Sequence, residues 1–192
     1  KCLRAPKYGT DDDFADGWAK QLLDMFFTAY ESHPTPRGGR YVCGLISMGS
    51  YLPLGKMTGA TPDGRNAGDP LSDSTSPSLL TPALGPTAAH RSATKAIDSV
   101  HTPNGVTFNQ KFNVAAVESE RELSKLADLV RTYIESGGQS VQYNVVDAAT
   151  LRAAQKDPRQ YKDLIVRVGG YSALPKALKM TPDEIVEIVK KA

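Results

Sequence analysis

The sequence predicts an α/β fold, and three observations carry that expectation. Stretches with the helical apolar period alternate with short strand-like runs. Gly- and Pro-rich turn signals punctuate the changes of pattern. The chain has 192 residues, 40% of them hydrophobic, which is one domain's worth of material. Helices and strands that alternate along a chain pack as α/β layers rather than as separate all-α and all-β units.

Each element has a local reason. Asp11-Asp12-Asp13 is expected to cap a first helix, because short acidic side chains accept hydrogen bonds from the free amides of a first turn. Its apolar face reads Phe14, Trp18, Leu22, Met25, Phe26, Ala29 and Tyr30, and it ends before Pro34. A turn at Gly38-Gly39 leads to a strand near Tyr41 to Ser47, and Thr61-Pro62-Asp63-Gly64 is a turn in which Pro sets φ and Gly admits the left-handed region. A second helix is expected from about Glu118 to Ser136, with Leu123, Leu126, Val130, Tyr133 and Ile134 inward and Gly137 as its stop. Val141, Tyr143 and Val145 alternate as a strand, and Asp147 caps a short helix through Leu151 to about Ala154. Leu164 to Val168 forms another strand. Thr181-Pro182-Asp183-Glu184 is a capping box that opens a last helix with Ile185, Ile188 and Val189 inward.

Composition excludes several classes of function. Charged residues make up 23% and the net charge is +2, so no basic field calls for nucleic acid or an anionic membrane. The longest uncharged runs, Tyr41 to Gly55 and Ser74 to His90, are broken by Gly and Pro and are too short to span a bilayer. Two cysteines without paired spacing argue against a disulfide framework or a zinc site, and no metal site is expected. Cys43 lies in an apolar run and reads as a buried, inert thiol. His33, His90 and His101 are scattered beside turn residues and read as surface or capping groups, and Asp63 with Arg65 reads as a turn-stabilising ion pair. Gly55-Lys56-Met57-Thr58-Gly59 lacks the spacing of a phosphate loop.

The most informative stretch is Leu164-Ile165-Val166-Arg167-Val168-Gly169-Gly170-Tyr171-Ser172-Ala173, a hydrophobic strand with one Arg running into two glycines and an aromatic. It resembles the glycyl radical loop of the pyruvate formate-lyase-like enzymes. The resemblance continues in one order along the chain: Pro6-Lys7-Tyr8-Gly9-Thr10-Asp11-Asp12, Ala60-Thr61-Pro62-Asp63-Gly64-Arg65, Asp69-Pro70-Leu71-Ser72-Asp73, Gly85-Pro86-Thr87-Ala88, Asn109-Gln110-Lys111-Phe112, Gly137 to Val146, and Ala154-Gln155-Lys156-Asp157-Pro158. Departures cluster near the loop: Gly169 stands where the family has Ala, Cys or Ser, and Leu174-Pro175 replaces an aromatic-rich continuation.

The resemblance implies a radical site at Gly170, supported by Arg167, Val168, Gly169, Tyr171 and Ser172. Arg167 is expected in a buried ion pair that holds the loop. A Cα radical flattens, donating from its own nitrogen and delocalising into its own carbonyl, and glycine has no Cβ to clash in that planar state. The adjacent Gly169 leaves open which of the two carries the spin. The implied fold is the C-terminal portion of a ten-stranded barrel with central loops, in which the Ser74 to Pro86 stretch, linker-like in composition, is ordered wall. The chain is then a single C-terminal radical domain piece over 1–192: a helical lead-in at 1–40, barrel segments at 41–163, the radical loop at 164–174 and a C-terminal helix at 175–192.

In this family the glycyl radical is a store that draws hydrogen from a cysteine on a second loop. Neither Cys2 nor Cys43 has that loop's pattern, so the thiyl cysteine is expected on a partner chain or an upstream segment, and this chain alone is expected to be inactive. No bound cofactor is expected; a separate iron–sulfur, S-adenosylmethionine-dependent activating enzyme would install the radical. The implied enzyme is an oxygen-sensitive, anaerobic, cytoplasmic lyase or dehydratase acting on a small molecule, with Ser47 and Met48 as a substrate wall. Two other readings stay open: a spare part replacing an oxygen-damaged radical domain, and a radical-silent interaction module.

Overall fold

The computed structural model describes residues 1–145, 148–157, 160, 161, 164, 166–168 and 171–173. The expected cap forms: the Asp12 carboxylate accepts from the amides of Phe14 at 3.1 Å and Ala15 at 3.0 Å, opening α1 over Asp13–Glu31. Such a cap is worth about 1 kcal/mol. α2 spans Tyr51–Met57, with Pro53 in its first turn, where no amide hydrogen bond is lost. A Cβ on Gly55 would lie 2.4 Å from the Asp69 carbonyl oxygen and 2.7 Å from Pro70 Cα, so only glycine lets residues 69–71 lie against this helix. α3 spans Pro86–Ala96 and starts with Pro at its first position.

β1 (Phe108–Phe112) and β2 (Val141–Val145) pair in parallel, with Phe108 opposite Val141 and Phe112 opposite Val145. Parallel neighbours need a long crossover. Here it is a 3-10 turn at Val114–Val117 followed by α4, Glu120–Glu135. Ser119 starts α4 by accepting from the Glu122 amide at 3.3 Å and donating to the Glu122 carboxylate at 2.5 Å. α5 spans Ala148–Lys156. β3 (Val166–Val168) and β4 (Tyr171–Ala173) pair antiparallel, with Val168 opposite Tyr171. Residues 169 and 170, which connect them, and the expected C-terminal helix with Ile185, Ile188 and Val189 lie outside the described residues, as does the Asp147 cap.

The core is small and sits where α3 and α4 cover β1. Ala89, Ala93, Phe108 and Tyr133 are buried together, with Ile97 and Val141 packed against them. Alternating helices and a parallel β-α-β unit agree with the α/β expectation.

Several expectations are corrected. The stretch from Tyr41 to Ser47 is not a strand: it makes one bridge, Leu45 to Val106, and turns at Ser47, where the Ser50 amide donates to the Ser47 carbonyl at 2.8 Å. The apolar face of α1 is not buried in this chain. Phe14, Trp18, Leu22, Met25, Phe26 and Tyr30 are all exposed; α1 packs on α3, burying Asp16, while Phe27 is buried against the His101 ring, centroids 5.4 Å apart. In α4 only Tyr133 is buried, while Leu123 and Ile134 are exposed. Helices α2 and α3 and strand β1 had no sequence expectation at all.

Candidate functional site

The segment Ser72 to Pro77 has no regular structure, yet it is fixed against β1 by side chains acting as a strand edge would. Thr75 donates from its amide (3.2 Å) and its hydroxyl (2.8 Å) to the Thr107 carbonyl. The Ser76 hydroxyl donates to the Asn109 carbonyl at 2.8 Å and accepts from the Asn109 amide at 3.0 Å. The Asn109 side chain donates to Asp73 Oδ2 at 2.7 Å. From the N-terminal side, the Tyr8 hydroxyl donates to the Thr75 carbonyl at 2.9 Å. Burial pushes the Tyr8 phenol above its ordinary range, and the neighbouring Tyr133 and Asp16 add to the shift. Gly9 follows with φ +98°, and a Cβ there would fall 2.4 Å from the Pro77 ring, so the glycine of the Pro6-Lys7-Tyr8-Gly9 block is what allows this crossing.

Arg65 closes the next turn. It is buried, and its guanidinium donates to three carbonyls: Asp69 at 2.6 Å, Thr58 at 3.3 Å, and Gly59. Asp63 is not its partner, which corrects the expected ion pair; the Asp63 carboxylate accepts from the Thr61 hydroxyl at 2.5 Å and is held below the usual carboxylate range by that bond. Together these segments border a groove of about 910 Å³ lined by Tyr51, Arg65, Asp73, Ser76, Asn109 and Lys111, among others. A groove with carboxylate, amide and hydroxyl groups on an otherwise apolar wall suits a small polar molecule.

Of the two residues expected to form a substrate wall, Ser47 reaches this groove indirectly. Its hydroxyl donates to Asp73 Oδ1, and its amide donates to Ser74 Oγ at 3.0 Å. Met48 sits beside it at φ +46°, exposed on the turn. Cys2 and Cys43 are both free thiols; Cys43 is half-buried rather than enclosed, and Cys2 is exposed. Among the described residues no group of His, Cys, Asp and Glu could hold a metal ion, and no helix is long and apolar enough to cross a membrane.

Of the expected radical-loop residues, Arg167 and Val168 lie on β3 and Tyr171 and Ser172 on β4, with Arg167 opposite Ser172. Gly169 and Gly170 themselves, and the surroundings of the Arg167 side chain, lie outside the described residues.

His90 departs most from its expected surface role. It is 3% exposed. Its ring packs on Phe108 (centroids 5.0 Å apart) and Tyr133 (4.8 Å), and its Nε2 lies 3.3 Å from the Tyr143 hydroxyl. Burial pulls its pKa down to about 4, so it is neutral at pH 7. The same burial raises the Tyr133 and Tyr143 phenols to about 12. His101 is a surface group as expected, bonded to Glu31 at 2.6 Å, which raises its pKa. Sequence reading missed His90 because its helix, α3, is rich in Ala, Ser and Thr and carries little apolar signal.

Sequence comparison agrees with this geometry. The glycine radical family model matches residues 71–176, which contain the groove segment, β1 to β4 and the Gly169-Gly170 connection, and a pyruvate formate lyase-like model matches residues 1–55. The chain belongs to the glycyl radical enzyme family. It is 41% identical over 194 residues to a probable dehydratase, YbiW, of Escherichia coli (strain K12), covering 97% of this chain and 24% of that protein. It is 38% identical to the trans-4-hydroxy-L-proline dehydratase of Clostridioides difficile, covering 95% of this chain and 23% of that enzyme. In structure it resembles the glycerol-bound B12-independent glycerol dehydratase from Clostridium butyricum, with a TM-score of 0.90 and 41% identity, covering 98% of this chain and 24% of that one. The chain therefore spans about a quarter of the length of these relatives.

Proposed function

We propose that this chain is the radical-bearing part of a dehydratase- or lyase-type glycyl radical enzyme and that Gly170 holds the radical. The observation that carries the reading is the register of β3 and β4. Val168 opposite Tyr171 brackets Gly169 and Gly170 within a region that matches the glycine radical family. A separate activating enzyme with an iron–sulfur cluster and S-adenosylmethionine removes one hydrogen atom from Gly170 Cα. The resulting radical takes a hydrogen atom from the S–H of a cysteine outside this chain, which restores the glycine CH₂ and leaves the unpaired electron on sulfur. The thiyl then abstracts a hydrogen atom from a small-molecule substrate, giving S–H and a substrate radical. After bond cleavage the product radical takes a hydrogen atom from that S–H, and the re-formed thiyl takes one from Gly170 Cα, which restores the glycyl radical. The relatives named as dehydratases favour loss of water from a hydroxylated substrate over the other bond cleavages open to this chemistry. Ser47, held to Asp73 at the groove, and Met48 are the substrate-side residues of this chain. Arg167, Val168, Gly169, Tyr171 and Ser172 support the loop. The parallel β1–β2 pair is one segment of the ten-stranded barrel of a cytoplasmic enzyme.

Oxygen tests the assignment. A Cα radical adds O₂ to give a peroxyl species that fragments the main chain at that residue. Air exposure after activation should release a C-terminal piece covering residues 171–192, read by mass spectrometry, while unactivated chain stays whole. The same cut in unactivated protein would mean proteolysis, and no cut in a sample with a verified radical would remove Gly170 from the role.

A further inference from the structure

Tyr8, Tyr133 and Tyr143 are neighbours, and burial raises all three phenols above their ordinary range. What their hydroxyls meet differs. Tyr8 donates to the Thr75 carbonyl at 2.9 Å and Tyr133 to the Ser140 carbonyl at 3.4 Å. Tyr143 alone of the three meets a titratable base, His90 Nε2, at 3.3 Å. The phenol is the acid of this pair and the imidazole the base, so the hydroxyl donates and Nε2 accepts. The neutral ring then carries its own proton on Nδ1, which is buried and has no partner among the described residues. Phe108 and Tyr133 wall the His90 ring, and Phe112 meets the Tyr143 ring edge to face with centroids 4.9 Å apart. These side chains come from α3, α4, β1 and β2, so the pair and its walls are built within this chain.

Loss of one electron turns a phenol into a far stronger acid than any imidazolium, so its proton must leave with the electron. A backbone carbonyl cannot keep that proton, whereas a neutral imidazole can. We propose that Tyr143 and His90 form a proton-coupled redox site that gives up one electron to an oxidant of the organic peroxyl radical class. The Tyr143 O–H bond breaks, its electron reduces the peroxyl radical to a peroxide anion, and its proton passes to His90 Nε2. A neutral phenoxyl radical and an imidazolium remain. Burial holds the His90 pKa down to about 4, which makes the ring a weak base in ordinary terms. It is still base enough for an oxidised phenol, and its weakness returns the proton once the phenoxyl is reduced. Tyr8 and Tyr133 lack this outlet, so an oxidising equivalent that reaches the cluster settles on Tyr143. Peroxyl radicals are what dioxygen makes of carbon radicals, so the site gives a radical enzyme a side chain on which such an oxidant is spent before it cuts backbone.

The chain has eight tyrosines, so variants must assign the signal. The full chain is photo-oxidised by flash-quench with a ruthenium polypyridyl complex, a one-electron oxidant standing in for the peroxyl radical. It is then frozen for electron paramagnetic resonance. A persistent phenoxyl signal is expected in the wild-type chain and in Tyr133→Phe, and its loss in Tyr143→Phe. His90→Gln keeps an acceptor for the Tyr143 hydroxyl but no base, and should slow phenoxyl formation by about 100-fold, the low end of what a positioned base contributes. Phenoxyl formation in the wild-type chain should also be slower in deuterated water, an effect that a merely structural His90 would not produce. Should circular dichroism show that His90→Gln has lost its fold, the isotope effect in the wild-type chain decides. A signal that survives Tyr143→Phe or vanishes in Tyr133→Phe overturns the assignment. An unchanged rate in folded His90→Gln, or no isotope effect, overturns the role of His90. None of these readouts uses the activating enzyme or the glycyl radical, so failure here is distinct from failure of the Gly170 assignment.

Discussion

Phe108 and Trp18 are both large aromatics in regular elements, yet Phe108 is 0% exposed and Trp18 is 60% exposed. Around Phe108 the chain supplies everything the side chain needs: His90 and Tyr133 stack on it, Ala89 and Ala93 close over it, and β2 lies alongside. Around Trp18 it supplies Phe14 and little else. The difference separates two kinds of apolar pattern that look alike in a sequence. One is self-contained within this chain. The other faces outward from the described residues, and none of them covers it. The polar network from Tyr8 through Thr75 and Ser76 to Asn109 belongs to the first kind, because its donors and acceptors meet across long sequence separations without outside help.

That contrast yields a graded series of tests. Phe108→Ala should cost about 3–5 kcal/mol by urea unfolding, because it empties a filled core site. Arg65→Ala should cost roughly 2–3 kcal/mol, since three carbonyls lose their donor inside the protein. His90 should make stability depend on pH. Its pKa is about 4 when folded against 6.5 unfolded, so the unfolded chain binds the proton first. Stability from this group is complete above pH 6.5 and is lost progressively as pH falls towards 4, by about 3 kcal/mol in all. His90→Gln should flatten that slope in unfolding curves measured across the window. Asp12→Ala should cost about 1 kcal/mol through loss of the α1 cap. Trp18→Ala should change the stability of this chain by no more than about 0.5 kcal/mol. A large loss at Trp18, or a small one at Phe108, would break the division between the two regions.

Much of the fold was legible where local chemistry decides it. The Asp12 cap, the start and stop of α4, the β2 alternation and the long first helix all follow from capping residues and period. What could not be read was decided by distant partners. The Tyr41 to Ser47 run has strand chemistry, but Gly44 sits against Asn104 and the chain turns at Ser47, so one bridge forms instead of a ladder. α3 was missed because its Ala, Ser and Thr residues are selected for close packing on α1 and carry little hydrophobic signal. The outward face of α1 was read correctly as apolar, but periodicity does not say whether the described residues cover it, and they do not. At the candidate site, residues such as Arg65, Asp73 and Asn109 stood within recognisable family blocks, yet the bond between Asp73 and Asn109 joins residues 36 apart in the chain and appears only in three dimensions. His90 was read as a surface group because nothing in its neighbours' sequence announces the ring stack around it.

The central claim is that one backbone position, Gly170, carries an unpaired electron. Electron paramagnetic resonance after anaerobic activation addresses it most directly, because a glycyl radical with one remaining α-hydrogen gives a doublet. The expected result is a doublet in the wild-type chain and in Gly169→Ala, and no doublet in Gly170→Ala. A doublet that persists in Gly170→Ala and vanishes in Gly169→Ala would contradict the assignment and move the radical to the neighbouring residue.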